Sequence, residues 1–236
     1  MTFRLGAFHK WAALALGCTI SIAQGQELLP SRDDAYLSWS IEEARRVGAG
    51  TRANGRVGGR FDFRVVHTER SYNYKLRATW MTPEVIRASA RFIQLRQHLS
   101  NQRTRDLVEQ AEAAGDTVIL IEIDPREGSG VIPLDWEAYL EPVTETPDQQ
   151  SAVAGIMAPK LRQIPALSGV SERDYNYDAF WVVFPFLNGN KKALFTEAVN
   201  ECELLVRIYN KEGRVRWKVP ASIRLRATAL EGLASP

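Results

Sequence analysis

Cysteine is almost missing from this chain, which carries only Cys18 and Cys202. No CxxC pair exists, and His9, His67 and His98 form no HExxH spacing. Zinc needs clustered thiolate or imidazole ligands, and calcium loops need regularly spaced oxygen ligands, which are missing as well. No metal site and no cofactor is therefore expected. A nucleophile with a histidine base would have to use His67 or His98. Cys202 lies between Glu201 and Glu203, whose charge disfavours a thiolate, so it reads as a packed residue.

Long apolar runs are lacking too. WAALALGCTISIA, residues 11–23, is too short to span a bilayer. With Arg4 and Lys10 before it and small residues after it, residues 1–25 have the layout of a secretory signal peptide. Cleavage is expected after Ala23 or Gly25. Ala15-Leu16-Gly17-Cys18 loosely resembles a bacterial lipobox, so the alternative is a lipoprotein anchored through Cys18. Export is expected to end in the periplasm or outside the cell, with membrane contact only if Cys18 is lipidated. Cleavage would leave Cys202 alone, without an internal disulfide, so the core must hold the fold unaided.

No sign of charge dominates. The formal surplus of +2 is accounted for by Arg4 and Lys10, and the remaining chain is balanced. This excludes nucleic acid as an expected partner and gives no case for an anionic membrane.

What is present reads as strands with a helical interruption. SRDDAYLSWS alternates apolar residues as a strand would, and EEARRV reads as helix. GAGTRANGRVGGR, 48–60, is rich in glycine and arginine, costs much entropy to order and buries little, so it predicts a mobile loop closing an N-terminal segment, 26–60. A first β unit follows over 61–141. It opens with alternating residues from Phe61 to His67 and from Tyr72 to Trp80, a hairpin pattern. Thr82-Pro83 then starts a helix whose stripe is Val85, Ala88, Phe92, Leu95 and Leu99. Thr104 to Ala114 reads as a second helix ended by Gly115.

TVILIEI, 117–123, is apolar on both faces up to Glu122 and predicts a central strand. A linker is expected over 142–171 and a second β unit over 172–226. That unit contains FWVVFPF, where Pro185 marks a strand end, and a hairpin from ECELLVRIY to RVRWKV with Gly213 in the left-handed position of its turn. A flexible tail closes the chain over 227–236.

Two pairs of segments resemble each other in the same order. ERSYNY, 69–74, matches ERDYNY, 172–177, and ILIEIDPREG, 119–128, matches LLVRIYNKEG, 204–213. An internal repeat is the expectation they raise. Tyr209 stands where Asp124 does and Arg214 where Ser129 does, so the shared feature is a turn and not a chemistry. Ser129 also lacks the G-x-S-x-G frame of a strained nucleophile elbow.

Two candidate sites remain. Asp124, Glu127 and Asp135 cluster in sequence near one strand end and could serve a small hydrolase that needs paired carboxylates. Arg214, Arg216 and Lys218 alternate with Val215, Trp217 and Val219, with Arg207 on the facing strand and Arg224 and Arg226 beyond Pro220. That makes a cationic strip over an apolar face, suited to an anionic envelope polymer or an acidic protein. The opposing reading is a solvated face neutralised by Glu201, Glu203 and Glu212. Tyr72, Tyr74, Tyr175, Tyr177, Trp80, Trp136, Trp181 and Trp217 are expected to face inward.

The expected fold is mainly antiparallel β, a sandwich or two abutting sheets with two helices inserted in the first half; the alternative is α+β. The expected function is an exported, non-enzymatic binding or structural module of the periplasm or cell surface, with the hydrolase as the alternative.

Overall fold

The computed structural model describes residues 32–58, 73–115, 117–125, 132–144, 152–171, 176–187, 193–196 and 198–234. The leader, the Phe61–His67 alternation, the Glu127 bend and most of the ERSYNY and ERDYNY segments lie outside the described residues.

Among the described residues, nine strands form two antiparallel sheets. Strands β1 (Arg52–Val57), β2 (Tyr74–Trp80), β3 (Val118–Asp124), β7 (Asp178–Val183) and β6 (Ile156–Met157) make the first, in the order β1-β2-β3-β7-β6. Strands β5 (Val153–Ala154), β4 (Glu137–Val143), β8 (Glu201–Ile208) and β9 (Lys211–Lys218) make the second, in the order β5-β4-β8-β9. The described helices are α1 (Ile41–Gly48), α2 (Pro83–Gln97), α3 (Asn101–Glu112) and α4 (Ala221–Ala234). The expected antiparallel architecture with a two-helix insertion is the one observed.

The sheets face each other. Leu76, Ala78 and Trp80 of β2 and Ile119, Ile121 and Ile123 of β3 pack against Leu140 of β4, Cys202, Leu204 and Val206 of β8 and Val215 and Trp217 of β9. On its other side the first sheet carries the helical layer, where Val118, Leu120 and Trp181 meet Val85 and Ile86 of α2 and Leu107, Val108 and Ala111 of α3. Strand β3 is therefore buried over Val118–Ile121, as its apolar run predicts, and half-buried at Glu122. Trp80, Trp136, Trp181, Trp217 and Tyr74 are all buried.

Both corners of the sandwich are closed. Residues 153–157 run first as β5 along β4 and then as β6 along β7, so one short segment belongs to both sheets. At the bend the amide of Gly155 donates to Ala138 O at 2.8 Å. A β-carbon on Gly155 would run into Val182 and Phe184. At the opposite corner β1 lies against β9, and the Gly58 amide donates to Glu212 O at 3.1 Å. The strands thus follow a closed circuit, and β1 and β9, formally edges, each cover the other.

Helix α2 starts as its sequence predicts. Thr82 Oγ1 accepts from the Val85 amide at 3.4 Å, and Pro83 occupies the first turn. Helix α3 starts earlier than expected, because Ser100 caps it by accepting from the Arg103 amide. Gly115 has φ +112 just after that helix.

Several expectations are corrected. SRDDAYLSWS does not form a strand: Arg32–Ser38 is a 3-10 helix that buries Tyr36. The Gly/Arg segment is not a loop throughout, since residues 52–57 are β1, paired along their length with β2. Its Gly55 and Gly58 lie where this strand meets β9. The expected linker contains β5, β6 and two 3-10 turns, Pro159–Gln163 and Pro165–Ser168. The expected tail continues α4 as far as Ala234. Gly213 is not in the β8–β9 turn but in β9, opposite Val206. The left-handed residue is Tyr209, with φ 54.

The two resembling segments occupy similar places and leave them differently. β3 lies between β2 and β7, and β8 lies between β4 and β9. β8 turns at Tyr209-Asn210 into its sheet neighbour, whereas the next described strand after β3 is β4, in the other sheet.

Candidate functional site

The acids near the end of β3 do not assemble among the described residues. Asp124 is buried, and its Oδ2 pairs with Lys75 Nζ at 3.0 Å across the β2–β3 register. Asp135 is exposed on the turn before β4. Glu127 lies outside the described residues. No group of three or more His, Cys, Asp or Glu side chains there could hold a metal ion.

Arg207 of β8 and Arg214, Arg216 and Lys218 of β9 do share one face. In the β4-β8-β9 register, Glu137, Arg207 and Glu212 lie side by side, then Tyr139, Leu205 and Arg214, then Glu141, Glu203 and Arg216. The strip is consequently interleaved with acids. Arg214 Nη1 donates to Glu203 Oε1 at 2.5 Å, and Arg216 Nε donates to Glu203 Oε2 at 2.6 Å. Arg207 Nη2 donates to Glu212 Oε1 at 2.7 Å. Burial would raise the Glu203 carboxyl, but the hydrogen bonds from Arg216 and Arg214 outweigh it and hold that group below its ordinary value. Lys218 sits opposite Glu201. Arg224 and Arg226 do not extend the strip, because α4 begins at Ala221.

Cys202 is fully buried, and burial pushes its thiol up to about 12. A thiol held so far from ionisation is no nucleophile at neutral pH.

Sequence reasoning missed a cleft on the outer face of the first sheet. The helices cover that face at the Val118 end. Toward the other end the register brings together Arg52 and Thr79, then Arg77, Glu122 and Ala179. Beside this floor lie Ser168, Gly169 and Ser171 from the end of a 3-10 turn, and Tyr177 just before β7. The cleft they bound has a volume of about 550 Å³, the size that small-molecule sites take. Leu120, Phe180 and Trp181 give it apolar walls.

Arg52, Glu122, Arg162 and Asp178 are the charged residues of its lining, and Arg77 stands beside Glu122 on the sheet. Arg77 Nη1 meets Glu122 Oε1 at 3.4 Å, and its guanidinium stacks 4.3 Å from the centre of the Tyr177 ring. Arg77 is thereby both neutralised and held. Arg52 differs: its Nε is shielded from solvent and has no hydrogen-bond partner. Burial lowers the Arg52 pKa, while Glu122 partly restores it and Arg77 lowers it further. A shielded cationic N–H without an acceptor is costly and unusual in a folded protein.

A second hollow, of about 440 Å³, lies between Tyr36 and α3. Four of its charges are paired with one another: Arg105 with Asp34 at 3.0 Å and Arg87 with Glu112 at 3.2 Å.

The cleft had almost no sequence signal. Arg52 stands in the Gly/Arg segment, Glu122 in a strand read for its apolar residues, and Tyr177 in a stretch read as inward-facing. Only the fold joins them. No helix among the described residues is long and apolar enough to cross a membrane. Comparison of the chain with family models, with curated proteins and with solved structures gave no match.

Proposed function

We propose that this chain is an exported, non-enzymatic module that binds a small ligand in the cleft beside Arg52, working in the periplasm or at the cell surface. The observation that carries the reading is the cleft itself, a hollow of ligand size whose lining comes from β1, β2, β3, β7 and a 3-10 turn. A rigid closed sandwich behind it keeps such a site preformed, which lowers the entropic cost of binding. The basic, apolar and small-residue order of residues 1–25 supports export, and Cys18 leaves lipid attachment as its variant. The places of β3 and β8 as central strands of facing sheets support a duplicated strand unit.

The alternative uses of the surface have less behind them. An anionic polymer would meet Arg207, Arg214, Arg216 and Lys218 interleaved with glutamates. A hydrolase would need Asp124 freed from Lys75 and brought toward Asp135.

The test is binding of a chemically mixed fragment set, followed by ligand-observed NMR on the chain purified after export from a bacterial host. Ala179 is exposed in the cleft, so Ala179→Trp should fill it and abolish the binding seen with the unaltered chain. Fragments that bind equally well to both proteins would refute the site. Sequencing the mature N-terminus checks export: a start at Gln24 or Gln26 is expected, and a chain retaining Met1 would defeat it.

A further inference from the structure

We infer that the hollow between the 3-10 helix Arg32–Ser38 and α3 is a second binding site, and that it takes a small primary amine in its ammonium form, held by the phenol of Tyr36 and the carboxylate of Glu109. This site is separate from the cleft and does not rest on it.

The hollow is built from α3 outward. Arg105, Val108, Glu109 and Glu112 lie three or four residues apart or side by side, so they share one stripe of that helix. Tyr36 closes the hollow from the facing 3-10 helix, and Arg87 reaches it from α2. Tyr36 is only 3% exposed, yet among the described residues its phenol forms no hydrogen bond. Unlike Arg52 Nε, its oxygen is not sealed by the chain, so it opens into the hollow. Charges on both sides reach it. Burial and then Asp34 raise the Tyr36 pKa, Arg105 and Arg87 work against them, and Glu112 adds to the rise.

The lining holds two cations, Arg87 and Arg105, and three anions, Asp34, Glu109 and Glu112. Arg105 is held by Asp34, and Arg87 by Glu112. Glu112 Oε1 is sealed by the chain, so no ligand reaches it. Glu109 is exposed and has no ion pair among the described residues. One negative charge is therefore left over, and the hollow favours a ligand with one positive charge. Acids alone would draw any counter-ion; the buried, unbonded phenol is what asks for a hydrogen-bond donor. An ammonium brings three donors and no acceptor, while a phenol oxygen and a carboxylate both accept. An anion would meet Glu109 with both guanidiniums already engaged. Beside these groups, Val108, Ala113 and the Tyr36 ring offer an apolar surface to the stem of the amine. The volume of about 440 Å³ leaves space for a body of one ring.

The experiment titrates four matched probes into the chain purified after export and follows amide chemical shifts: 2-phenylethylamine, its N,N,N-trimethyl derivative, 2-phenylethanol and phenylacetate. The primary amine is expected to saturate shifts at Tyr36, Val108 and Ala113. The alcohol, the acid and the trimethyl compound, which keeps the charge without N–H groups, should each bind at least about fivefold more weakly. Tyr36→Phe removes only the hydroxyl. It should weaken the primary amine about fivefold and leave the trimethyl compound unchanged. Should Tyr36→Phe fail to fold, Glu109→Gln on the exposed rim should weaken both cations about threefold. Ala179→Trp, which fills the cleft, should alter none of this. No saturable shift up to about 10 mM, where a ligand of millimolar affinity is near saturation, would overturn the inference. So would an alcohol or acid that matches the amine, or amine binding that Tyr36→Phe and Glu109→Gln both leave intact. Amine binding lost in Ala179→Trp would place it in the cleft and overturn the second site alone.

Discussion

A β-carbon placed on Gly213 of β9 would stand 2.7 Å from the carbonyl oxygen of Arg56 in β1. Real β-carbons do not come so close to backbone oxygen. Glycine at 213 is therefore what lets the first strand lie against the last. Gly55 does the same from the other side, where an added β-carbon would meet Val215 at 2.8 Å and Arg214 O at 3.1 Å. Gly213→Val should force the two strands apart and cost about 1–3 kcal/mol, as overpacking does. Urea unfolding measures the loss. Amide exchange at Gly58, which donates to Glu212 O, should quicken more than exchange at the centre of β3.

Glu203 holds two arginines on an otherwise open sheet face. Its folded pKa is depressed, so its contribution is present above the unfolded carboxyl value and is lost as pH falls through the lower folded value. Glu203→Gln should cost about 1–3 kcal/mol at neutral pH, the range for hydrogen bonds to a charged group. The deficit relative to the unaltered chain should shrink in acid. A deficit that stays constant from neutral pH to below pH 3 would refute this account.

Tyr209 adopts φ 54 and is exposed, so its ring repays little of the cost of the left-handed conformation. Tyr209→Gly should raise stability by about 0.5–1 kcal/mol. A melt that moves down instead would reveal a role for the ring.

Trp217 is buried against Trp80, with ring centroids 6.2 Å apart, and its Nε1 has no hydrogen-bond partner. Trp217→Ala should cost about 3–5 kcal/mol. Trp217→Phe should cost less, because it keeps an aromatic body and removes the unsatisfied N–H. Equilibrium unfolding of the two variants compares them directly.

Cys202 should resist a thiol reagent at pH 8 while the chain is folded and react at once in denaturant. Burial raises its pKa to about 12, so the thiolate is scarce until the core opens. Rapid labelling of the native chain would contradict that burial.

The legible parts of the fold were those where local pattern and final surroundings agree. The run 118–121 is buried because helices and a second sheet cover it. Thr82-Pro83 begins a helix for reasons contained in those residues. The alternation in RVRWKV puts Val215 and Trp217 inside. The illegible parts depend on distant neighbours. Glycines at 55 and 58 look like disorder until β9 lies beside them. Ala35, Leu37 and Trp39 alternate, yet Tyr36 is the residue that the helical layer buries. Arg52, Arg77, Glu122 and Tyr177 are separated by much of the chain, and no spacing rule gathers them. Neither Gly213 nor Tyr209 followed turn statistics, because close packing decided one and the two-residue connection the other.

The contact between β1 and β9 also sets an order of assembly. The ring of strands cannot be completed until residues near 213 have been made and set in place, however early β1 leaves the ribosome. Contacts of such long sequence separation form slowly. The two-sheet framework therefore has no finished state to reach while its second half is still being synthesised.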